Sequence, residues 1–363
     1  MGMNFFQSRA AKRPGIPEGI LLISSGGLGD TVLLSLVIER FTKLAEPGED
    51  ITLVLPRESL KMTFLIDERI SILPIDYKAF RKSKSYHKEI TDQVFEANYR
   101  VVISTDFLRH PKLDEAIIKA ADGHEVIAME PRSWPKYDKA LHKNRTLYTR
   151  RFDSGAIHVD KVLRWANFAD WLTGSRQDAP VVRLPENKIK AGEAFPRPTA
   201  ILVPFSAVKE KQSPPEVFLT IMDHLKDSYD FVIASAASDM EINPEYLALA
   251  NMPNASFDGS IFEDLAPKLK MAALVVSVDT ATMHLAAAIG TPTVCLASAA
   301  YVNEITPYAD EITPDNVRFV YQSMECEGCL GSCHLPAEGG RFPCVARLEI
   351  PQILGTIDAL LAG

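Results

Sequence analysis

The chain has no apolar stretch of the roughly 18 residues needed to cross a bilayer as a helix, which excludes a helical membrane span. Its start, MGMNFFQSRAAKRPGIPEG, has no apolar core of the kind a signal peptide needs, so residues 1–18 are expected to form a flexible arm. No G-x-x-x-x-G-K-[ST] sequence occurs, which excludes a P-loop. Positive charge is in short supply. The chain carries 39 Lys and Arg against 47 Asp and Glu, a formal net charge of −8, which argues against general nucleic-acid binding. Five cysteines without an export signal fit a cytoplasmic protein with reduced thiols or a metal site.

What is present is ample apolar material. The 363 residues are 47% apolar and 24% charged, enough for two cores of ordinary domain size. Short apolar runs alternate with helical patterns. GILLISS, ITLVLP, ISILPID and YRVVISTD read as buried strands, and TVLLSLVIERFTKL between the first two reads as a helix. A second series follows: TAILVPFS, YDFVIASAAS, LVVSVDT and TPTVCLAS as strands, with helices near PEVFLTIMDHLKD, EYLALA and ATMHLAAAIG. Gly290 and Pro292 should end the last of these. Such alternation predicts an α/β fold with two parallel, doubly wound sheets facing each other across a cleft. Between them, GSRQDAPVVRLPENKIKAGEAFPRP is polar and holds four prolines. The expected divisions are therefore a first domain over 19–175, a linker over 176–198 and a second domain over 199–363.

The first strand runs into SSGGLGDTV. Gly27 and Gly29 match two positions of the dinucleotide fingerprint G-x-G-x-x-G/A, but Val32 occupies the third. Pro56 and Arg57 stand where the ribose-binding acid should be, so the turn does not read as a nicotinamide-cofactor site. Asp30 then has two readings. It caps the following helix through its carboxylate, or it stands at the carboxyl edge of a sheet as a base that takes a proton from a hydroxyl.

VVSVDTATMHLAAAIGTPTV places Asp279 and Thr280 where a strand gives way to a helix, with His284 one turn beyond Thr280. A helix start offers free N–H groups suited to a diphosphate. The plainer reading is a capping Asp279 or Thr280 and a core histidine. Lys211, just ahead of a helix, is either a phosphate contact or a solvated lysine.

Taken together, these segments resemble the glycosyltransferase family that includes the lipopolysaccharide heptosyltransferases. Gly26–Asp30 matches the family's G-x-[LM]-G-D turn, Lys211–Pro214 its K-x-[W]-P, and Asp279–Pro292 its D-[ST]-G-x-x-H-L-A-A-A-x-G-T-P. HVDKVLRWANFADWLTG also resembles the family's stretch before the linker. The resemblance implies the GT-B arrangement of two Rossmann-like domains and inverting sugar transfer in lipopolysaccharide or related biosynthesis. The first domain would take a glycolipid or glycoprotein acceptor, and the second a nucleotide-sugar such as ADP-heptose. It further implies Asp30 as base and Lys211 on the diphosphate. Asp279, Thr280, Ala281 and His284 would line the donor site, with Asp239 on the ribose and Gly27 and Gly29 on the acceptor side. Ala281 replaces the usual glycine, Ser213 the usual tryptophan and Phe205 an expected glycine. These departures keep a non-catalytic sugar-nucleotide or glycan-binding paralogue as the alternative. No D-x-D triplet occurs, so no catalytic metal is expected; a lysine and a helix end would meet the developing charge instead.

Cys326, Cys329, Cys333 and Cys344 have the spacing C-x2-C-x3-C-x10-C, which suits a structural zinc or iron. Similar clusters occur in the autotransporter heptosyltransferases, where the resemblance implies iron. Cys295, inside a strand, reads as a core thiol. Residues 132–164 carry nine Lys and Arg, Arg150 and Arg151 among them. They are expected to form an acceptor-side patch for a phosphorylated glycolipid or the inner membrane surface. An oligomer is compatible with all of this.

Overall fold

The computed structural model describes Arg13 and residues 15–363, so most of the expected arm lies outside the described residues. Twelve strands build two parallel six-stranded sheets. The first contains β1 (Ile20–Ile23), β2 (Ile51–Pro56), β3 (Ile70–Ile75), β4 (Val101–Ser104), β5 (Glu125–Met129) and β6 (Arg150–Phe152). The second contains β7 (Thr199–Val203), β8 (Asp230–Ala234), β9 (Ala255–Asp258), β10 (Leu274–Val278), β11 (Thr293–Leu296) and β12 (Val317–Val320). Their orders, β3-β2-β1-β4-β5-β6 and β12-β11-β10-β7-β8-β9, are the same doubly wound order twice.

The chemistry of the strands explains the arrangement. Strands β1, β4, β7, β10 and β11 are buried at every position, as expected of aliphatic runs covered by helices on both faces. Strands β5, β6, β9 and β12 carried no clear signal in the sequence. Three of these, β6, β9 and β12, are edge strands, and β6 and β9 hold no fully buried residue, so burial never demanded an apolar pattern there.

By contacts the described chain forms two units. The first holds the residues up to Gly27, Ile38–Ile157 and Trp165–Gln177; the second holds Leu28–Val37, His158–Arg164 and Asp178–Gly363. The long helix expected after β1 is broken into Leu28–Ser35 and Ile38–Thr42. Leu36 and Val37 donate to Leu33 and Leu34, three residues back, at the point where the chain changes unit. The proline-rich stretch after Gln177 is laid onto the second unit. Val182 donates to Ile312 O, Leu184 to Ala288 O, and Lys270 Nζ to the carbonyls of Glu186 and Ile189. Among the described residues, no helix is long and apolar enough to cross a membrane.

The Ala281–Ile289 helix ends as expected at Gly290, whose φ of +98° is left-handed. A Cβ at Gly290 would also collide with the Arg183 guanidinium. Gly290→Ala should therefore cost about 1–2 kcal/mol, measured as a lowered denaturation midpoint with an unchanged urea slope.

Candidate active site

The second unit gathers most of the charged candidates. Asp30 sits in the first turn of the Leu28–Ser35 helix, two residues inside its start, so it is not the N-cap. Its carboxylate accepts from Lys161 Nζ at 2.5 Å. In the sequence, Lys161 is one of the nine cations of the 132–164 segment. The sequence signal that could have separated it is Asp160. That carboxylate binds the N–H groups of Val162 and Leu163, which starts the helix and fixes where Lys161 stands. Its other oxygen accepts from Ala309 N–H at 3.2 Å. Burial raises the Asp160 carboxyl to about 6.

Lys211 is not a solvated lysine. It ends a short 3-10 turn, is largely buried, and lies 2.6 Å from Asp279. The pair is a close ion pair rather than an aligned hydrogen bond, because the same Asp279 oxygen has no partner in hydrogen-bond geometry. Lys211 Nζ also lies 4.4 Å from the centre of the Tyr301 ring. Lys211 follows β7 and Asp279 ends β10, adjacent strands at which the order of the sheet reverses. Open α/β sheets bind ligands at that position.

Thr280 is the N-cap of the Ala281–Ile289 helix, but its side chain makes no capping hydrogen bond. The plainer reading of Thr280 as a side-chain cap therefore fails, and the helix start keeps amide donors for a ligand. Ala281 is the first residue of that helix and is nearly buried. His284 is fully buried. Its Nδ1 lies 2.6 Å from Tyr308 Oη and its Nε2 3.9 Å from Asp279. Burial lowers the His284 imidazole to about 4, opposed by the charges of Asp279 and Asp30. It is neutral at pH 7. The Leu28–Ser35 helix reaches this histidine because residue 29 is glycine: a Cβ there would lie 2.9 Å from His284 Cδ2. Gly27, by contrast, is exposed in the turn ahead of that helix.

Asp239 caps the start of its own helix, Ala237–Ile242, accepting the Ala236 N–H at 3.0 Å. Two of the departures from the family pattern pack around one side chain. Phe205 meets the Tyr246 ring edge-on at 4.9 Å, and Tyr246 Oη donates to Ser213 O at 2.6 Å. Phe205 thus belongs to the core of the second unit.

In the first unit the loops after β1 and β4 meet at that sheet's own reversal point. Asp106 accepts from Ser25 N and Oγ at 2.8 and 2.9 Å. The buried Asp114, which accepts from His110 N, is pushed up to about 7 by burial and by the charge of Asp106. These residues were not expected; the polar STD directly after a buried strand was the available signal. Arg150 and Arg151 are ion-paired with Glu125 and Glu130 at 3.0 and 2.8 Å. The basic segment is also divided, since Lys161 and Arg164 belong to the second unit.

Three of the four clustered cysteines come together. The sulfurs of Cys326, Cys329 and Cys333 all lie within 4.8 Å of one another, with Cys326 and Cys333 at 4.0 Å. Thiolates about 2.3 Å from a tetrahedral zinc or iron stand about 3.8 Å apart, so this trio fits such an ion with a small contraction. Cys344 stands outside the trio, buried, with its sulfur accepting the Ala299 N–H at 3.4 Å. Cys295 is a buried core thiol, as expected.

A family model for glycosyltransferase family 9 (heptosyltransferase) matches residues 135–328, more than half of the chain. The chain belongs to glycosyltransferase family 9. No curated protein matches its sequence. Among solved structures, it is similar in fold to the family 9 glycosyl transferase of Veillonella parvula, with a TM-score of 0.67 at 16% identity over 97% of this chain and 99% of that one. It is likewise similar to E. coli heptosyltransferase WaaC, solved with ADP, with a TM-score of 0.66 at 16% identity over 94% and 99%. A third similar structure is dodecameric iron-containing TibC, solved with ADP-D-β-D-heptose, with a TM-score of 0.56 at 14% identity over 96% and 77%. The two doubly wound halves of this family 9 enzyme are those of the GT-B fold.

Because folding holds His284 neutral, stability it contributes above pH 6.5 is lost as pH falls toward about 4. Wild type should therefore lose stability to acid faster than His284→Gln, read as the difference between their thermal midpoints across that range. Gly29→Ala should abolish transfer while the protein still unfolds cooperatively, checked by activity alongside a urea melt.

Proposed function

We propose that this glycosyltransferase moves a heptose or similar sugar from an ADP-activated donor to a hydroxyl of a cell-envelope saccharide or glycoprotein, with inversion at the anomeric carbon. The observation that carries this reading is the meeting of two ion pairs, Asp30–Lys161 and Lys211–Asp279, whose four charges all act on the buried His284.

A sugar hydroxyl is a weak nucleophile until a base withdraws its proton, a contribution of about 10²–10⁴-fold. Asp30 is that base. Lys161 holds the carboxylate oriented until the acceptor hydroxyl approaches. The hydroxyl oxygen attacks the anomeric carbon from the face opposite the diphosphate, and its proton passes to Asp30. As the bond to the leaving oxygen breaks, negative charge grows on the diphosphate, where the Lys211 ammonium and the amides of the Thr280 helix start stabilise it. Asp279 places Lys211, and Asp239 is the candidate for the ribose. A neutral His284 packs the helix start without adding a charge that would repel the lysine.

The acceptor enters at the carboxyl edge of the first sheet, where Ser25 and Asp106 offer hydrogen bonds to a sugar. Binding of ADP and ADP-D-β-D-heptose by fold relatives supports the donor assignment. The cysteine loop takes a structural zinc or iron, held by Cys326, Cys329 and Cys333 with Cys344 as the candidate fourth ligand. We place the enzyme in the cytoplasm, peripheral to the inner membrane, and oligomeric assembly is supported by the dodecamer of TibC.

Asp30→Asn should leave ADP affinity within about twofold and lower kcat by about 10²–10⁴-fold. Lys211→Gln should weaken ADP binding as well as turnover. Calorimetry with ADP and a coupled assay of ADP release from ADP-heptose read the two apart. Full turnover by Asp30→Asn would exclude it as the base, and nucleotide binding without turnover by wild type would favour the non-catalytic paralogue.

A further inference from the structure

We infer that the cysteine loop governs the donor site by holding Tyr301 against Lys211. The inference rests on the proposed contact between Lys211 and the donor diphosphate.

Tyr301 closes the short turn Ala299–Tyr301, and its ring faces the Lys211 ammonium, which is also paired with Asp279. The two contacts do different things. A carboxylate neutralises the ammonium and draws it away from an incoming anion. An aromatic face attracts the ammonium through its quadrupole and leaves the positive charge in place. The ring therefore gives the ammonium, already in contact with Asp279, a second partner that does not neutralise its charge.

The cysteine loop and the short helix Pro343–Ala346 hold the Tyr301 turn. Gly328 N donates to Ala299 O at 3.0 Å and Leu330 N to Ala300 O at 2.8 Å. From the other side Cys344 accepts the Ala299 N–H. A Cβ on Gly331 would lie 3.6 Å from Tyr301 Oη, so the loop backbone also passes the end of that side chain. The loop needs an outside restraint to keep this shape. Gly328, Leu330 and Gly331 all have left-handed φ values, of 71°, 51° and 79°, and Leu330 adopts one against its side chain's preference. The trio Cys326, Cys329 and Cys333 brackets all three positions and supplies that restraint when tied together.

The same turn reaches the second ion pair. Tyr301 O accepts from Glu304 N, and Glu304 O accepts from Lys161 N at 2.8 Å. His158, beside Lys161, pairs with Glu304 at 3.1 Å and lies directly against Gly328. Residues 299–304 thus sit between the thiol loop on one side and both lysines on the other. Tyr301 is a positioning residue, and the loop is its latch.

The test compares ADP affinity by calorimetry, amide hydrogen exchange over residues 299–304, and bound metal. The proteins are wild type, Tyr301→Phe, Tyr301→Leu, the triple variant Cys326→Ser/Cys329→Ser/Cys333→Ser, and that triple combined with Tyr301→Leu. Tyr301→Phe keeps the ring and should bind ADP as wild type does. Tyr301→Leu should weaken ADP about three- to thirtyfold. The triple variant should lose its metal, exchange faster at 299–304 and weaken ADP similarly, but add nothing further once Tyr301 is leucine. Equal loss from Phe and Leu overturns the role of the ring. A triple-variant effect that is undiminished in the leucine background, or unchanged exchange at 299–304, overturns the latch. A wild-type protein that binds no ADP overturns the donor reading itself, which the exchange measurement does not depend on.

Discussion

The buried ion pair of Lys211 and Asp279 is the constraint from which the rest of the site follows. Burying either charge alone is costly, and burying both is tolerated only at close range with further partners. Their 2.6 Å separation, the Tyr301 ring and the neutral His284 meet that requirement together. Removing one charge from this set would leave the other stranded in an apolar surrounding. That is also what makes the site useful. A cation already stripped of water at the edge of a sheet interacts with a diphosphate far more strongly than a solvated lysine would.

The pair also explains why a glycine stands next to the proposed base. Asp30 and Lys211 lie on segments about 180 residues apart in the chain, and the Leu28–Ser35 helix joins them by packing against the Ala281–Ile289 helix at His284. Only a residue without a Cβ permits that approach, since a methyl at position 29 would press on the imidazole. The glycine-rich turn thus has a packing reason of its own. It differs from the reason glycines appear in a dinucleotide fingerprint, where the backbone approaches a pyrophosphate.

Much of the fold was legible in the sequence because the central strands of a parallel sheet must be apolar on both faces. β1, β4, β7, β10 and β11 announce themselves as unbroken aliphatic runs, and the alternation with helices dictates parallel pairing. The edges were silent: β6 reads RRF and β9 reads ASFD, since half of an edge strand's surroundings are solvent. Much of the candidate site was legible too. Asp30, Lys211, Asp279, Thr280 and His284 stand in short motifs whose spacing places them at strand ends and on one helical face.

What only the tertiary structure decided is pairing and assembly. Lys161 looked like one of nine cations in a basic segment; folding places it in the second unit and sets it on Asp30. Cys344 shares a spacing pattern with three other cysteines; those three cluster, while its own sulfur also accepts the Ala299 amide. Tyr301 belongs to no motif, and its ring meets Lys211 from a segment far along the chain. Residue type and local period determine which segments are strands and which side chains carry usable chemistry. Which charge meets which, and which thiols meet at all, depends on contacts between segments far apart in the chain, and no local pattern encodes those.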